Sequence, residues 1–220
     1  MRLQITKAYG ERRVFEGFSL DITEGEILCV LGASGTGKTT LLNIIAGLTD
    51  YEGWIENAPK SVGYIFQEPR LISHLTVREN LRYVGGRDEV IDEILRKIGL
   101  FDKCGMRAGK LSGGEKQRVA FARAFVTEKD AVLLDEPFSS LDTALKIRLM
   151  QVFQELWSER KKTAVFVTHD LEEACALAHR IVVLDEGKIL FDERPSGGPR
   201  AYGENSALKE RLLKAVLGEK

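Results

Sequence analysis

The sequence predicts an α/β fold, and three observations predict it. Four short apolar runs, Ile27 to Leu31, Ala131 to Leu134, Ala164 to Val167 and Ile181 to Leu184, are continuous rather than alternating, as in parallel strands buried on both faces. The first run leads into a glycine-rich turn and then into the apolar residues Leu41, Leu42, Ile44 and Ile45, which suit a helix packed back on the strand. The opening segment differs, with Phe18, Leu20 and Ile22 separated by polar residues, the pattern of half-exposed antiparallel strands.

Taken in order, these signals give an N-terminal antiparallel β subdomain, a mostly parallel sheet, and a helical stretch between the early and late strands. Thr76 and Glu79 make a capping box, and Val90, Ile91, Ile94, Leu95 and Ile98 recur at helical spacing after Asp88. A helical subdomain over residues 68–128, inserted into the α/β core, is therefore expected. Ser206 to Leu217, within residues 204–220, reads as one amphipathic C-terminal helix. No repeat or long linker divides the chain, and its one Gly/Pro-dense stretch, Pro195 to Gly203, lies near the end, so residues 1–220 read as a single domain.

Composition narrows the function classes. The chain has 220 residues, 44% hydrophobic and 30% charged, enough for a substantial core. No stretch approaches the roughly 20 apolar residues of a membrane-spanning helix. The opening MRLQITKAYGERRV lacks the apolar core and cleavage site of a secretory signal, and a cytoplasmic location is expected. With 32 Lys plus Arg against 33 Asp plus Glu, no net basic field attracts nucleic acid, and none is expected as a partner. Cys29, Cys104 and Cys175 are odd in number and far apart, which argues for reduced apolar residues rather than disulfides or a metal site.

Gly32-Ala33-Ser34-Gly35-Thr36-Gly37-Lys38-Thr39, followed by Thr40, fits the P-loop pattern GxxxxGK[ST] between a buried strand and a helix, and so places the fold among P-loop NTPases. Its glycines let backbone N–H groups curl around a phosphate chain, and the following helix N-terminus adds partial positive charge. Lys38 is suited to the β- and γ-phosphates of ATP and the Thr39 hydroxyl to Mg²⁺. The run Ala131 to Leu134 ends in Asp135 and Glu136. By itself this is an ordinary strand meeting solvent, but behind a P-loop it delivers one carboxylate to order the metal shell and a second to accept a proton from the attacking water. Ser112 and Glu115 form a second capping box around Gly113 and Gly114, exposing the first N–H groups of a helix to an anion.

The ordered set of P-loop, Leu111-Ser112-Gly113-Gly114-Glu115-Lys116-Gln117-Arg118, Leu133-Leu134-Asp135-Glu136-Pro137, Ser140-Leu141-Asp142 and Thr168-His169-Asp170 covers nearly the whole chain and resembles the ABC ATPases. The resemblance implies a head-to-tail dimer that sandwiches two ATP molecules, with a second ATPase subunit taken as an identical chain. Ser112, Gly113, Gly114 and Glu115 would then meet the γ-phosphate held by the partner's P-loop, and Asp142 would link the two sites. It also makes Gln67 the glutamine that contacts metal and attacking water, His169 the histidine at the γ-phosphate, and Tyr9 the aromatic ring against adenine. Glu136, His169 and Gln67 are thus the expected catalytic residues, and Thr39, Gln67 and Asp135 the expected metal ligands.

The absence of a fused membrane segment suits importers assembled from separate chains. Phe66-Gln67-Glu68-Pro69-Arg70-Leu71 and Leu75-Thr76-Val77-Arg78-Glu79-Asn80-Leu81 are similar to importers of nitrate, sulfonates, molybdate or thiamine-type compounds. This implies an ATPase at the cytoplasmic face of the inner membrane, with a permease and an extracytoplasmic substrate-binding protein as partners. With only a short stretch after Gly187, the C-terminal regulatory domain of maltose-type importers is not expected. The competing reading is a permease-free ABC ATPase of the iron-sulfur assembly type. A nucleotide kinase would explain the P-loop but not Leu111 to Glu115 or His169.

Overall fold

The computed structural model describes residues 1–195, 202–203 and 206–217. The chain opens with β1 (Arg2–Tyr9) and β2 (Arg12–Asp21), antiparallel and joined by a two-residue turn that sets Tyr9 opposite Arg12. Leu3, Ile5, Phe15, Phe18 and Leu20 turn inward while the polar residues between them stay out, as the alternation predicts. Next come β3 (Ile27–Leu31), whose five residues are all buried, and α1 (Lys38–Ile45). β4 (Glu52–Glu56) returns to pair with β1 and completes a three-stranded sheet in the order β2-β1-β4.

β5 (Val62–Ile65) leads into the helical stretch, α2 (Val77–Arg82), α3 (Asp88–Lys97) and α4 (Gly113–Phe125). The remaining elements alternate: β6 (Ala131–Asp135), α5 (Thr143–Arg160), β7 (Thr163–Thr168), α6 (Leu171–Leu177), β8 (Arg180–Asp185), β9 (Lys188–Glu193) and α7 (Ser206–Leu217). Six strands form the main sheet in the order β5-β6-β7-β3-β8-β9, parallel except for β9. The α/β fold, its mostly parallel sheet and its N-terminal antiparallel strands are therefore as the sequence predicts. Residues 204, 205 and 218–220 of the predicted C-terminal helix, and 196–201 of the Gly/Pro-dense stretch, lie outside the described residues.

The side chains of β3 divide between two apolar clusters, which identifies the faces of the main sheet. Ile27, Cys29 and Leu31 pack with residues of α2 to α7, while Leu28 and Val30 pack with α1 and the inward residues of β1 and β2. Burying one such Phe, Leu or Ile side chain contributes about 1.5–3 kcal/mol, so covering both faces is what makes the central strands rigid. Cys29 and Cys175 are buried in the core and Cys104 is half-buried against it, in keeping with their reading as small apolar residues.

The register decides where the chemistry can sit. Leu31 of β3 pairs with Thr168 of β7, Asp135 of β6 with Val167, and Ile65 of β5 with Leu134. The carboxyl ends of four strands therefore finish side by side. The P-loop, Gln67, Asp135-Glu136 and His169 each follow one of them, at the sheet edge where ligands of open α/β folds bind.

Candidate active site

The loop from Gly32 to Gly37 bends over the end of β3 because of what its glycines permit. Gly37 caps α1 with a φ of 105°, and a Cβ there would lie 2.7 Å from Val14 Cγ1 and 3.0 Å from Phe15 Cζ. Gly32 fits with equal closeness, since a Cβ would meet the Leu184 carbonyl oxygen at 2.3 Å. Lys38, 6% exposed, folds back so that its Nζ donates to the Gly32 and Ala33 carbonyls, both at 2.7 Å. Burial lowers its pKa, while the charges of Glu136 and Asp135 act the other way and favour the ammonium. The ammonium is thereby held over the loop, within reach of any phosphate bound there.

Asp135 ends β6 almost fully buried, and the Thr39 hydroxyl donates to its Oδ1 at 3.1 Å. Burial raises its pKa, opposed by the Thr39 hydrogen bond. A buried carboxylate with one hydroxyl partner keeps lone pairs free for a hard cation. Among the described residues no group of three or more His, Cys, Asp or Glu could hold a metal by itself. An oxygen donor set that needs ligand phosphates to complete it fits Mg²⁺, which typically combines one or two carboxylates with phosphate oxygens.

Glu136 follows in the left-handed region at φ 46°, its N–H donating to the Val167 carbonyl at 3.0 Å. A non-glycine residue there carries strain of about 1–2 kcal/mol. The effect is to turn the carboxylate away from the strand toward Gln67, whose Nε2 lies 3.4 Å from Oε2, and His169, whose Nδ1 lies 3.4 Å from Oε1. Gln117, buried on α4, donates to the Pro137 carbonyl at 3.1 Å and braces this turn from behind.

Tyr9, Ser34, Gly35, Gly37, Lys38, Thr39, Thr40, Gln67 and Glu136 line one cavity of about 430 Å³, together with Arg12 and Val14. That volume is within the range of small-molecule sites. Tyr9 is half-exposed, with the Lys7 ammonium 4.7 Å from its ring centre. Asp135 and His169 join through Thr39 and Glu136. Thr36 does not line the cavity, and its hydroxyl donates to the Ala33 carbonyl at 3.0 Å.

Ser112, Gly113, Gly114, Glu115 and Asp142 lie off this cavity and form a second group. Ser112 caps α4, accepting from the Glu115 N–H at 3.3 Å, while Glu115 Oε2 accepts from the Ser112 N–H at 2.9 Å. Lys103 also pairs with Glu115, and these partners hold its carboxyl down to about 2. Asp142 caps α5 through the Leu145 N–H, and a Cβ on Gly114 would touch Leu141 and Leu145, so the two helix starts adjoin.

Sequence reasoning missed Arg12, Val14 and the support behind His169. Arg12 and Val14 share one face of β2, and the Tyr9–Arg12 pairing was the signal that could have placed them. Lys146 bonds Asp170 at 2.7 Å and Glu173 at 2.8 Å, and the Thr168 hydroxyl donates to Glu173 at 2.7 Å, fixing the residues on both sides of His169. Lys146 stands one helical turn beyond Asp142, which is its sequence signal.

The family model described as "ABC transporter" matches residues 15–139. An aliphatic sulfonates import ATP-binding protein of Agrobacterium fabrum strain C58 is 40% identical, the match covering 97% of this chain and 82% of that protein. The solved dimeric structure of the bacterial ABC transporter cassette MJ0796 is 31% identical with a TM-score of 0.80, covering 90% of this chain and all of that one. The same cassette in a dimeric post-hydrolysis state with ADP and Pi gives a TM-score of 0.78 at 31% identity, with the same coverage.

Proposed function

The chain belongs to the ABC transporter family of ATP-binding proteins, and on that premise we propose that it hydrolyses ATP to power import through a separate membrane permease. The observation that carries the hydrolytic reading is the single cavity joining a P-loop, a half-exposed tyrosine and the Glu136 carboxylate. The relatives named for aliphatic sulfonate import support the importer assignment. Among the described residues no helix is long and apolar enough to cross a membrane, so the permease is proposed as other chains, and the site of action as the cytoplasmic face of the inner membrane. A substrate-binding protein outside the membrane completes the proposed complex.

In this reading Tyr9 stacks on adenine, and Ser34 to Thr40 wrap the phosphates with backbone N–H groups and the Lys38 ammonium. Thr39, Asp135 and Gln67 hold Mg²⁺, which when bound neutralises charge developing on the phosphoryl oxygens. Glu136, aimed by its left-handed backbone, takes the proton of a water oriented with Gln67 as that water's oxygen bonds to the γ-phosphorus and the bond to ADP breaks. His169 steadies the γ-phosphate. Ser112, Gly113 and Gly114 close the site from a second, identical chain placed head to tail, with Glu115 holding that helix start rigid and Asp142 at the seam. Residues 68–128 act as a helical subdomain whose segment from Pro69 to Val84 meets the permease.

Calorimetry on Lys38→Ala tests the foundation. ATP affinity should fall by more than tenfold, since a charge-assisted phosphate contact is lost. Unchanged affinity would remove the P-loop assignment. Co-purification of the unmodified chain with a permease from membranes tests the transport assignment, and its recovery in the soluble fraction alone would contradict it.

A further inference from the structure

We propose that Arg12 is a nucleotide-binding residue, a second cation that contacts the phosphate chain where it leaves the ribose and at the same time tethers the P-loop at Gly35. The inference rests on the ATP-site reading above and goes beyond it, because no motif of the chain includes Arg12. Three observations carry it. Arg12 lines the same cavity as Tyr9, Lys38, Thr39 and Glu136. Its Nη2 donates to the Gly35 carbonyl at 2.8 Å. Its Cα partner across the hairpin is Tyr9, while Val14, two residues on along the same strand face, is also in the cavity wall.

These placements set the order of groups along a bound nucleotide. The base lies against Tyr9, and the β- and γ-phosphates lie over Gly37, Lys38 and Thr39. A guanidinium tied to Gly35 stands between those two ends, at the level of the ribose and α-phosphate. The Gly35 carbonyl engages one N–H of a group that carries five, so donors remain for a phosphate oxygen. Neither Asp nor Glu forms an ion pair with Arg12 among the described residues, so its charge is not already neutralised. Arg is also the side chain whose planar fork best grips phosphate.

The test compares Arg12→Ala, Arg12→Gln and Arg12→Lys with the unmodified chain, measuring ATP and ADP affinity by calorimetry and steady-state hydrolysis across ATP concentration. Arg12→Ala should raise the Kd for both nucleotides and the KM for ATP about tenfold, equivalent to about 1.4 kcal/mol, with a much smaller change in kcat. Arg12→Lys should recover part of the affinity. Raising the salt concentration should weaken ATP binding more in the unmodified chain than in Arg12→Ala, because screening acts on the charge the variant lacks. Arg12→Gln, which can still donate to Gly35 but is neutral, separates the two roles: wild-type affinity in that variant would reduce Arg12 to a tether and overturn the proposal. Unchanged Kd and KM in Arg12→Ala would overturn it as well. Lys38→Ala serves as the control. If it loses ATP while Arg12→Ala does not, the Arg12 inference alone fails, and if both bind ATP normally the site itself is wrongly placed.

Discussion

Replacing Glu136 by Gln changes the proposed base while leaving almost everything else in place. The backbone at φ 46° is occupied equally well or badly by either residue, so the strain stays the same. Both contacts of the carboxylate, to Gln67 and to His169, are 3.4 Å, near the limit of a useful hydrogen bond, so little binding energy depends on them. Stability should therefore move by less than about 1 kcal/mol, because the side chain, only 14% exposed, is replaced by one of the same shape. The rate should not. Loss of general-base assistance removes roughly 10² to 10⁴-fold, or about 2.7 to 5.4 kcal/mol of barrier lowering. The variant also loses a negative charge beside the phosphates, and so should hold ATP between two chains more firmly than the unmodified protein. Phosphate release measures the first effect, and gel filtration with ATP and Mg²⁺ the second. Hydrolysis within about fivefold of the unmodified rate would refute the assignment of the base, since general-base assistance typically contributes at least about 10²-fold.

Two further predictions concern the start of α4. Ser112→Arg should abolish the ATP-dependent dimer of the Glu136→Gln background on gel filtration, whereas Ser112→Thr, which keeps the cap, should still dimerise; a dimer of normal stability in Ser112→Arg would count against the shared site. Glu115→Gln should cost about 1 kcal/mol at neutral pH through the weakened capping box, lowering the unfolding midpoint by roughly 2–4 °C. Because the folded carboxyl is held down to about 2 from an ordinary 4.5, its stabilisation is complete above pH 4.5 and is lost as pH falls toward 2. The unmodified chain should lose thermal stability more steeply than Glu115→Gln over that window, and parallel melting curves would show that the Glu115 contacts contribute nothing.

How far the sequence could be read depended on how much of each feature lies in one run of residues. β3, β6, β7 and β8 were legible because both faces of each are covered, which leaves unbroken apolar runs. The edge strands escaped. β4 buries none of its five residues fully, β9 alternates exposed with half-buried positions, and β5 at the sheet edge carries a glycine among four residues, so none has a run to detect. The P-loop was legible for the opposite reason to Arg12: its donors are consecutive backbone groups, whereas Arg12 reaches Gly35 across a separation of 23 residues. Lys146, Asp170, Glu173 and Thr168 likewise become a group only when α5 packs beside β7.

The two groups of motif residues also differ in what a single chain can do with them. The cavity is walled by Tyr9, Arg12 and Val14 of the first hairpin, the P-loop, Gln67 and Glu136, and it already contains cations, a carboxylate and a glycine-rich loop. Ser112 and Gly113 are exposed at a helix start whose side-chain cap occupies only the Glu115 N–H, while Glu115 itself is engaged by Ser112 and Lys103. The first N–H groups of α4 thus lie at an exposed helix start with partial positive charge, its nearest carboxylate already engaged, which is why they are proposed as the complement of the phosphate site. Two such half-sites on one chain can satisfy each other in a second copy related by a two-fold axis, which is the arrangement proposed. In the proposed dimer bound ATP would supply the charge that joins them, and departure of the cleaved phosphate would take that charge away, so assembly and disassembly of the pair would follow from the same electrostatics that bind the nucleotide.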